Sequence, residues 1–121
     1  MVRDLPDEAL SDKIRRLPRG ETRRAQIMEA MTENLDDPLG VRGTAAKLGI
    51  SARHLNGLCR SLFGVPPSLL FLKLRLRKAE EMLRYEGLRV NEVSDRLGFS
   101  NPYHFSRAFR RVYGVPPSRL L

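Results

Sequence analysis

Apolar residues recur every three or four positions along most of the chain, which is the spacing of one face of an α-helix. Glycine and proline interrupt this pattern at several points, and no segment alternates between apolar and polar residues as a half-buried strand would. The sequence therefore predicts an all-α fold. Beyond a leader of about twenty residues, the predicted helices cover about 22–35, 41–48, 51–63, 68–84, 90–97 and 101–113.

The leader, residues 1–20, differs from the rest of the chain. Leu10, Ile14 and Leu17 have helical spacing behind an acidic start, and Pro18-Arg19-Gly20 then breaks the pattern. A short amphipathic helix, a mobile arm and a loosely ordered segment all fit this composition.

Each predicted helix has an apolar face and recognisable ends. Ser51 is suited to cap the third helix, and Gly64 to end it. The longest helix, over 68–84, has an apolar stripe along its whole length and is expected to connect the two halves of the chain. The inward residues of the third, longest and last helices are predicted to be Leu55, Leu58 and Leu62; Leu69, Leu72, Leu76, Ala79 and Leu83; and Phe105, Phe109, Val112 and Tyr113.

A segment of the chain is repeated at a distance of fifty residues. Gly64-Val65-Pro66-Pro67-Ser68 returns as Gly114-Val115-Pro116-Pro117-Ser118, and His54 and Arg60 return as His104 and Arg110. Both copies combine a short helix, a turn containing Leu-Gly and a longer helix, which is the helix-turn-helix arrangement. The predicted organisation is a leader, a first helix-turn-helix unit, a connecting helix and a second helix-turn-helix unit, at 1–20, 21–67, 68–86 and 87–121.

The composition suits a protein that binds a polyanion. Twenty-two Lys and Arg against fourteen Asp and Glu leave a net charge of +8, and the positive charge gathers near Arg15–Arg24, Lys73–Lys78 and Arg107–Arg111. The single cysteine, Cys59, is expected to be buried and fits a reducing compartment. No apolar run is long enough to cross a membrane, so a cytoplasmic location is expected.

Neither catalytic nor metal-binding chemistry is indicated. The chain has no glycine-rich phosphate loop, no paired carboxylates in an apolar setting and no nucleophile with an adjacent base, so we expect no enzyme activity and no cofactor. His54 and His104 lie in separate units without further ligands nearby, so no metal site is expected.

The second unit resembles the DNA-binding domain of the AraC/XylS family of bacterial transcription regulators. The likeness rests on the segment from Gly98 to Arg111, which reads GFSNPYHFSRAFRR, on the Gly-Val-Pro-Pro that follows, and on Arg75, Leu76 and Ala79 in the connecting helix. It extends over about 22–121. The resemblance implies two helix-turn-helix units at the ends of a connecting helix, whose recognition helices enter successive major-groove segments of duplex DNA.

The resemblance also implies which residues face the DNA. Bases are expected to be read from the exposed side of each recognition helix, where arginine suits guanine and asparagine suits adenine. Gly57 departs from the pattern, because it occupies the position equivalent to Arg107 and brings no side chain to the groove. The candidate base readers are Arg53, Asn56, Pro102, Tyr103, Ser106 and Arg107; the candidate phosphate contacts are Ser51, His54, Arg60, Asn101, His104, Arg110 and Arg111.

The expected function is sequence-specific binding of double-stranded DNA and regulation of transcription at promoters, as an activator. The chain is expected to act as a monomer on an asymmetric site, with RNA polymerase as a candidate partner and no membrane association. Only about twenty residues precede the first helix, so a stand-alone regulator without a sensor domain is expected, or a shortened relative. Two alternatives remain: a helical adaptor that contacts RNA polymerase or another regulator without reading DNA, and a sequence-neutral DNA binder.

Overall fold

The computed structural model describes residues 19–37 and 40–120. This part of the chain contains no strand, and the all-α prediction is confirmed. The predicted leader lies almost wholly outside the described residues. The elements are α1 (Arg19–Thr32), α2 (Gly40–Leu48), α3 (Ala52–Phe63), α4 (Pro67–Tyr85), α5 (Val90–Arg96), α6 (Pro102–Tyr113) and a 3-10 helix (Pro117–Leu120).

Two separate hydrophobic cores form around the two helix-turn-helix units. The first unit packs α1, α2 and α3 together; the second packs α5 against α6, and the 3-10 helix against α6 and α4. The buried residues of the first core are Ile27, Met31, Ala45, Leu55, Cys59, Leu70 and Phe71. Those of the second core are Leu76, Ala79, Met82, Leu83, Val93, Leu97, Phe105 and Phe109.

The connecting helix α4 contributes to both cores. Its first half supplies Leu70 and Phe71 to the first core, and its second half supplies the residues from Leu76 to Leu83 to the second. The prediction of one apolar stripe along this helix is therefore wrong at its start. Leu69, which was predicted to face inward, is only half-buried and belongs to neither core. The buried side of α4 changes along the helix because the two units approach it from different directions.

The repeated residues adopt the same conformation in both units. Ser51 and Asn101 cap α3 and α6, and each side-chain oxygen accepts a hydrogen bond from the backbone N–H of the histidine three residues on. Gly64 and Gly114 end these helices with left-handed backbone, at φ values of 73° and 79°. The fifty-residue repeat is therefore a repeat of structure as well as of sequence.

Several boundaries and inward positions differ from the sequence prediction. Helix α1 already includes Arg19 and Gly20, which were expected to break the pattern, and it ends at Thr32 because residues 33–36 form a turn. In α6, Val112 and Tyr113 are exposed rather than inward. The Tyr113 ring still contacts that of Phe109, with 4.5 Å between their centroids, because the C-terminal turn of α6 extends past the edge of the second core.

Gly40 has a packing role that its sequence context does not reveal. From the sequence alone, a glycine at a helix start is expected only to weaken the helix. In the structure Gly40 is buried, and a Cβ atom at this position would overlap the ring of Phe71. Its missing side chain therefore lets α4 approach α2 closely in the first core.

Ser94 and Thr44 are two buried polar residues that the other unit replaces with apolar ones. Ser94 is equivalent to Ala45, and Thr44 is equivalent to Val93. The Ser94 hydroxyl is buried without a hydrogen-bond partner among the described residues, and the first unit has Ala45 at that position. We expect Ser94→Ala to raise the free energy of unfolding by about 1 kcal/mol, because it removes an unsatisfied polar group. The buried Thr44 hydroxyl instead donates to the Gly40 carbonyl at 2.6 Å.

The control is Thr44→Val, which installs the residue of the second unit, Val93. It is expected to lower stability by about 1 kcal/mol, because it removes a satisfied hydrogen bond. Urea unfolding followed by circular dichroism measures both changes. A Ser94→Ala variant no more stable than the parent chain would show that its hydroxyl has a partner.

Gly40→Ala and Gly57→Ala should change stability in opposite directions. Alanine at Gly40 overlaps Phe71 and should cost about 1–3 kcal/mol. Alanine at Gly57 meets nothing within 4 Å and should stabilise α3 by up to about 1 kcal/mol through helix propensity. Thermal unfolding of the two variants is the measurement, and a stabilising Gly40→Ala would refute the close-packing role.

Candidate nucleic-acid interface

The second helix of each helix-turn-helix motif, α3 or α6, presents an exposed, basic side to solvent. Helices α3 and α6 contain five arginines and no acidic residue. Within the described part of the chain, the salt bridges involve other residues, namely Arg24–Glu21, Lys47–Glu33, Lys78–Glu81, Lys78–Glu86 and Arg84–Glu80. The five arginines of α3 and α6 are thus not neutralised by carboxylates there, and their charge is available to an anionic ligand.

Helix α3 carries three of its predicted contacts in a short stretch of surface. Arg53 is exposed, and Asn56 is half-buried one turn further on. Arg60 donates from Nε to the Asn56 Oδ1 over 3.4 Å, a long and therefore weak hydrogen bond. The bond uses one lone pair of Oδ1, and an amide oxygen has two, so it does not by itself prevent Asn56 from contacting a base. Gly57 is exposed to open space beside them.

Helix α6 has a larger set of exposed groups. Tyr103 is 66% exposed, and the Arg107 guanidinium carbon lies 5.5 Å from the centroid of its ring. The aromatic face therefore helps to orient the arginine before any ligand arrives. Pro102 and Ser106 are half-buried on the same helix. A shallow depression on α6 is lined by His104, Arg107, Ala108 and Arg111.

The residues predicted to contact phosphate fall into two groups. Ser51 and Asn101 use a side-chain oxygen to cap their helices, which leaves the Ser51 hydroxyl proton and the Asn101 amide N–H groups free to donate outward. The remaining members of the set are exposed: His54, Arg60, His104, Arg110 and Arg111. The structure thus places the predicted phosphate donors at the first turn and along the outer side of each recognition helix.

Arg24 holds the end of the first recognition helix, a role that the sequence did not reveal. From α1 it donates from Nε to the backbone carbonyl of Leu62 at 3.0 Å. That carbonyl lies in the last turn of α3, where helical partners are lacking. Arg24 also pairs with Glu21 at 2.9 Å. In the sequence it is one member of a basic cluster, and nothing there distinguishes it from a solvated arginine.

Arg75 makes a similar contact in the second unit, but at the end of α5 and not at the end of the recognition helix. From the middle of α4 it donates from Nε and Nη2 to the backbone carbonyl of Leu97, at 3.0 and 2.5 Å. Its guanidinium carbon lies 3.9 Å from the centroid of the Phe99 ring. Burial lowers the pKa of Arg75, although an arginine remains charged at neutral pH. The charge therefore faces the C-terminal end of α5, where a cation is favourable.

The remaining reactive groups do not form a site. Cys59 is fully buried in the first core, and burial raises the pKa of its thiol, which disfavours the reactive thiolate. Among residues 19–37 and 40–120, no three His, Cys, Asp or Glu side chains are grouped so that they could hold a metal ion. No helix in these ranges is long and apolar enough to span a membrane.

Comparisons with known proteins agree with this geometry. Residues 44–121 match the profile of a helix-turn-helix domain family. The chain is 33% identical over 92 residues to the transcriptional regulator GbdR of Pseudomonas aeruginosa, covering 76% of this chain and 25% of that protein. It is 30% identical over 91 residues to the transcriptional activator RhaS of Escherichia coli, covering 75% of this chain and 33% of that protein.

Solved structures show the same fold. An AraC-type regulator from Chromobacterium violaceum superposes with a TM-score of 0.73 at 28% identity, over 78% of this chain and 85% of that one. The DNA-binding domain of the transcription factor AdpA, solved with a target DNA, superposes with a TM-score of 0.70 at 29% identity, over 78% and 86%. The chain spans about a quarter to a third of the curated relatives above. It belongs to the AraC-type family of helix-turn-helix transcription regulators.

Proposed function

We propose that this chain binds one specific, asymmetric duplex DNA site as a monomer, with α3 and α6 in two successive segments of the major groove. The observation that carries the proposal is the equivalent placement of exposed basic and polar side chains on the second helix of both units, which α4 joins. A dimer of single helix-turn-helix proteins obtains two such helices by symmetry. Here one chain supplies both, and because their residues differ, the two half-sites differ too.

On each recognition helix, some side chains are proposed to read bases and others to contact phosphates. Arg107 can grip guanine O6 and N7 with two hydrogen bonds, and Tyr103 can offer its ring to a thymine methyl group. Arg53 and Asn56 are the proposed base readers of the first unit. Pro102 and Ser106 are the further proposed base readers of the second unit. The exposed arginines at the outer turns, Arg60, Arg110 and Arg111, and the capped helix starts hold the backbone phosphates and set the register.

The second unit is proposed to be the stronger reader. It has Arg107 where the first unit has Gly57, and Tyr103 orients that arginine in the free protein. Its core contains a series of ring contacts, Phe99 with Phe105 and Phe105 with Phe109, at centroid distances of 5.0 and 5.9 Å. The first unit has Cys59 at the position of Phe109. Base changes under α6 should therefore weaken binding more than base changes under α3.

Binding of this kind is proposed to regulate transcription by activation. RhaS, one of the relatives, is named a transcriptional activator. Activation at a promoter brings the bound protein next to RNA polymerase, which makes the polymerase the proposed protein partner. The relatives named above are bacterial proteins, and a chromosomal target in such a cell lies in the cytoplasm, which is the location we propose for this chain.

The proposal is tested by selecting duplexes from a random pool and titrating salt. The full chain should enrich one asymmetric sequence and should bind it at least about a thousandfold more tightly than a scrambled duplex. Equal affinity for both duplexes, with a strong salt dependence, would identify a sequence-neutral binder. No measurable affinity for either would refute DNA binding and favour the protein-binding adaptor.

Arg107→Ala and Arg110→Ala separate reading from phosphate contact. Arg107→Ala should weaken specific binding by about 1–3 kcal/mol and relax base preference at one or two positions. Arg110→Ala should weaken binding to all duplexes similarly and reduce the slope of log affinity against log salt by about one. Affinities for duplexes mutated base by base measure both. An unchanged base preference in Arg107→Ala would remove that residue from the readers.

Gly57→Arg should tighten binding, because it adds a charge on the reading side of α3 and space is open there. Gly57→Ala is the matched control, since it gives the same kind of gain in helix propensity without the charge. We expect Gly57→Arg to bind all duplexes more tightly than Gly57→Ala does, in a fluorescence titration at fixed salt. Equal affinities for the two variants would mean that position 57 does not face the DNA.

A further inference from the structure

The connecting helix has a half-buried arginine at the point where the two cores meet. Leu70 and Phe71 belong to the first core, whereas Leu76 and Ala79 belong to the second. Arg75 lies between these two pairs and is half-buried, whereas Lys73, the other charged residue of this stretch, is exposed. The Arg75 side chain therefore lies between the two cores.

Arg75 contacts the second unit directly and the first core through a residue of its own helix. Two of its N–H groups converge on the Leu97 carbonyl, which fixes the plane of the guanidinium because its donors form a rigid fork. Its guanidinium carbon lies 3.9 Å from the centroid of Phe99 in the second unit and 5.7 Å from that of Phe71, which lies one turn earlier on α4 and is buried in the first core. Leu97 and Phe99 lie on either side of Gly98 in the turn between α5 and α6. Arg75 therefore holds the turn that leads into the second recognition helix.

A second, independent contact joins the units at the same turn. Gly98 has a φ of 76°, and a Cβ atom there would overlap the carbonyl oxygen of Asp36, which follows α1 in the first unit. The equivalent glycine of the first unit, Gly49, has a φ of 68° but meets nothing within 4 Å. The two glycines thus share a backbone conformation, and among the described residues Gly98 lies close to the other unit whereas Gly49 does not.

We propose that Arg75 and Gly98 form a joint that fixes the separation and rotation of α3 relative to α6, and that this joint determines the spacing between the two half-sites that the protein accepts. The inference rests on the proposed function. Inserting one base pair moves a half-site by about 3.4 Å along the duplex and rotates it by roughly 35°. A rigid joint cannot follow this movement, so the spacing preference should be steep.

The first test needs no DNA. Spin labels are placed on α3 and α6 by Ser61→Cys and Val112→Cys, both exposed positions, while the native Cys59 is buried and should resist labelling. Pulsed dipolar spectroscopy should give a narrow distance distribution in the parent chain. Arg75→Met, which keeps a long side chain but loses the charge and the donors, should broaden it. Arg77→Met also removes one positive charge from α4, but at an exposed position, and should leave the distance distribution narrow.

The second test uses the selected duplex with zero, one or two base pairs inserted between its half-sites. The parent chain should lose roughly tenfold or more in affinity on the first insertion, as for a mismatched base. For Arg75→Met, the loss of affinity caused by one inserted base pair should fall to a few fold. For Arg75→Lys, this loss should lie between those of Arg75→Met and the parent chain. Gly98→Ala should also reduce this loss, whereas Gly49→Ala, with the same backbone cost, should preserve it.

The outcomes separate the joint from a merely structural role and from the proposed function. Partial unfolding of Arg75→Met would lower affinity for every duplex by the same factor, so parallel spacing profiles for this variant and the parent chain would overturn the inference. Unchanged distance distributions would overturn it as well. If Arg75→Met fails to fold, Arg75→Lys and the two glycine variants decide in its place. If the parent chain selects no duplex, the proposed function is contradicted. The distance measurement on the free protein still tests the joint in that case.

Discussion

The architecture depends on one helix that is shared between two cores and on the arginine at its centre. Helix α4 is 19 residues long, or roughly 28 Å at 1.5 Å per residue, and each half is buried in a different unit. Arg75 adds directional contacts to this shared helix, because its two hydrogen bonds to Leu97 and its contact with Phe99 tie α4 to the turn before α6. Apolar packing of α4 already joins it to the second unit, and Arg75 is proposed to restrict the remaining rotation between the two.

The duplication explains how the chain presents two recognition helices and why they are not equivalent. Both units use the same capping chemistry at Ser51 and Asn101 and the same glycine at the helix end. The differences lie in what surrounds these shared features. The first unit has a smaller residue at Cys59, an open glycine at Gly57 and close packing at Gly40, whereas the second has a series of aromatic contacts and an oriented Arg107.

Much of the fold and of the surface could be predicted, because both follow from local patterns. Helix ends at Ser51 and Gly64, the buried thiol of Cys59 and the all-α class follow from capping chemistry and periodicity. The burial of Phe71 and the exposure of Val112 could not be predicted, since they depend on the direction from which each unit meets α4. Arg24 and Arg75 lie within basic clusters of the sequence, yet both donate to backbone carbonyls. Sequence spacing cannot separate an arginine that caps a helix from one that faces a phosphate.

The central claim is that one chain places two different readers on one face of a duplex. Hydroxyl-radical footprinting of the selected duplex, with the stoichiometry of the same complex measured by native mass spectrometry, tests it most directly. The account predicts one protein per duplex and two unlike protected segments, about one helical turn of 10–10.5 base pairs apart. Two proteins bound to an inverted repeat, with identical protection of both halves, would contradict it.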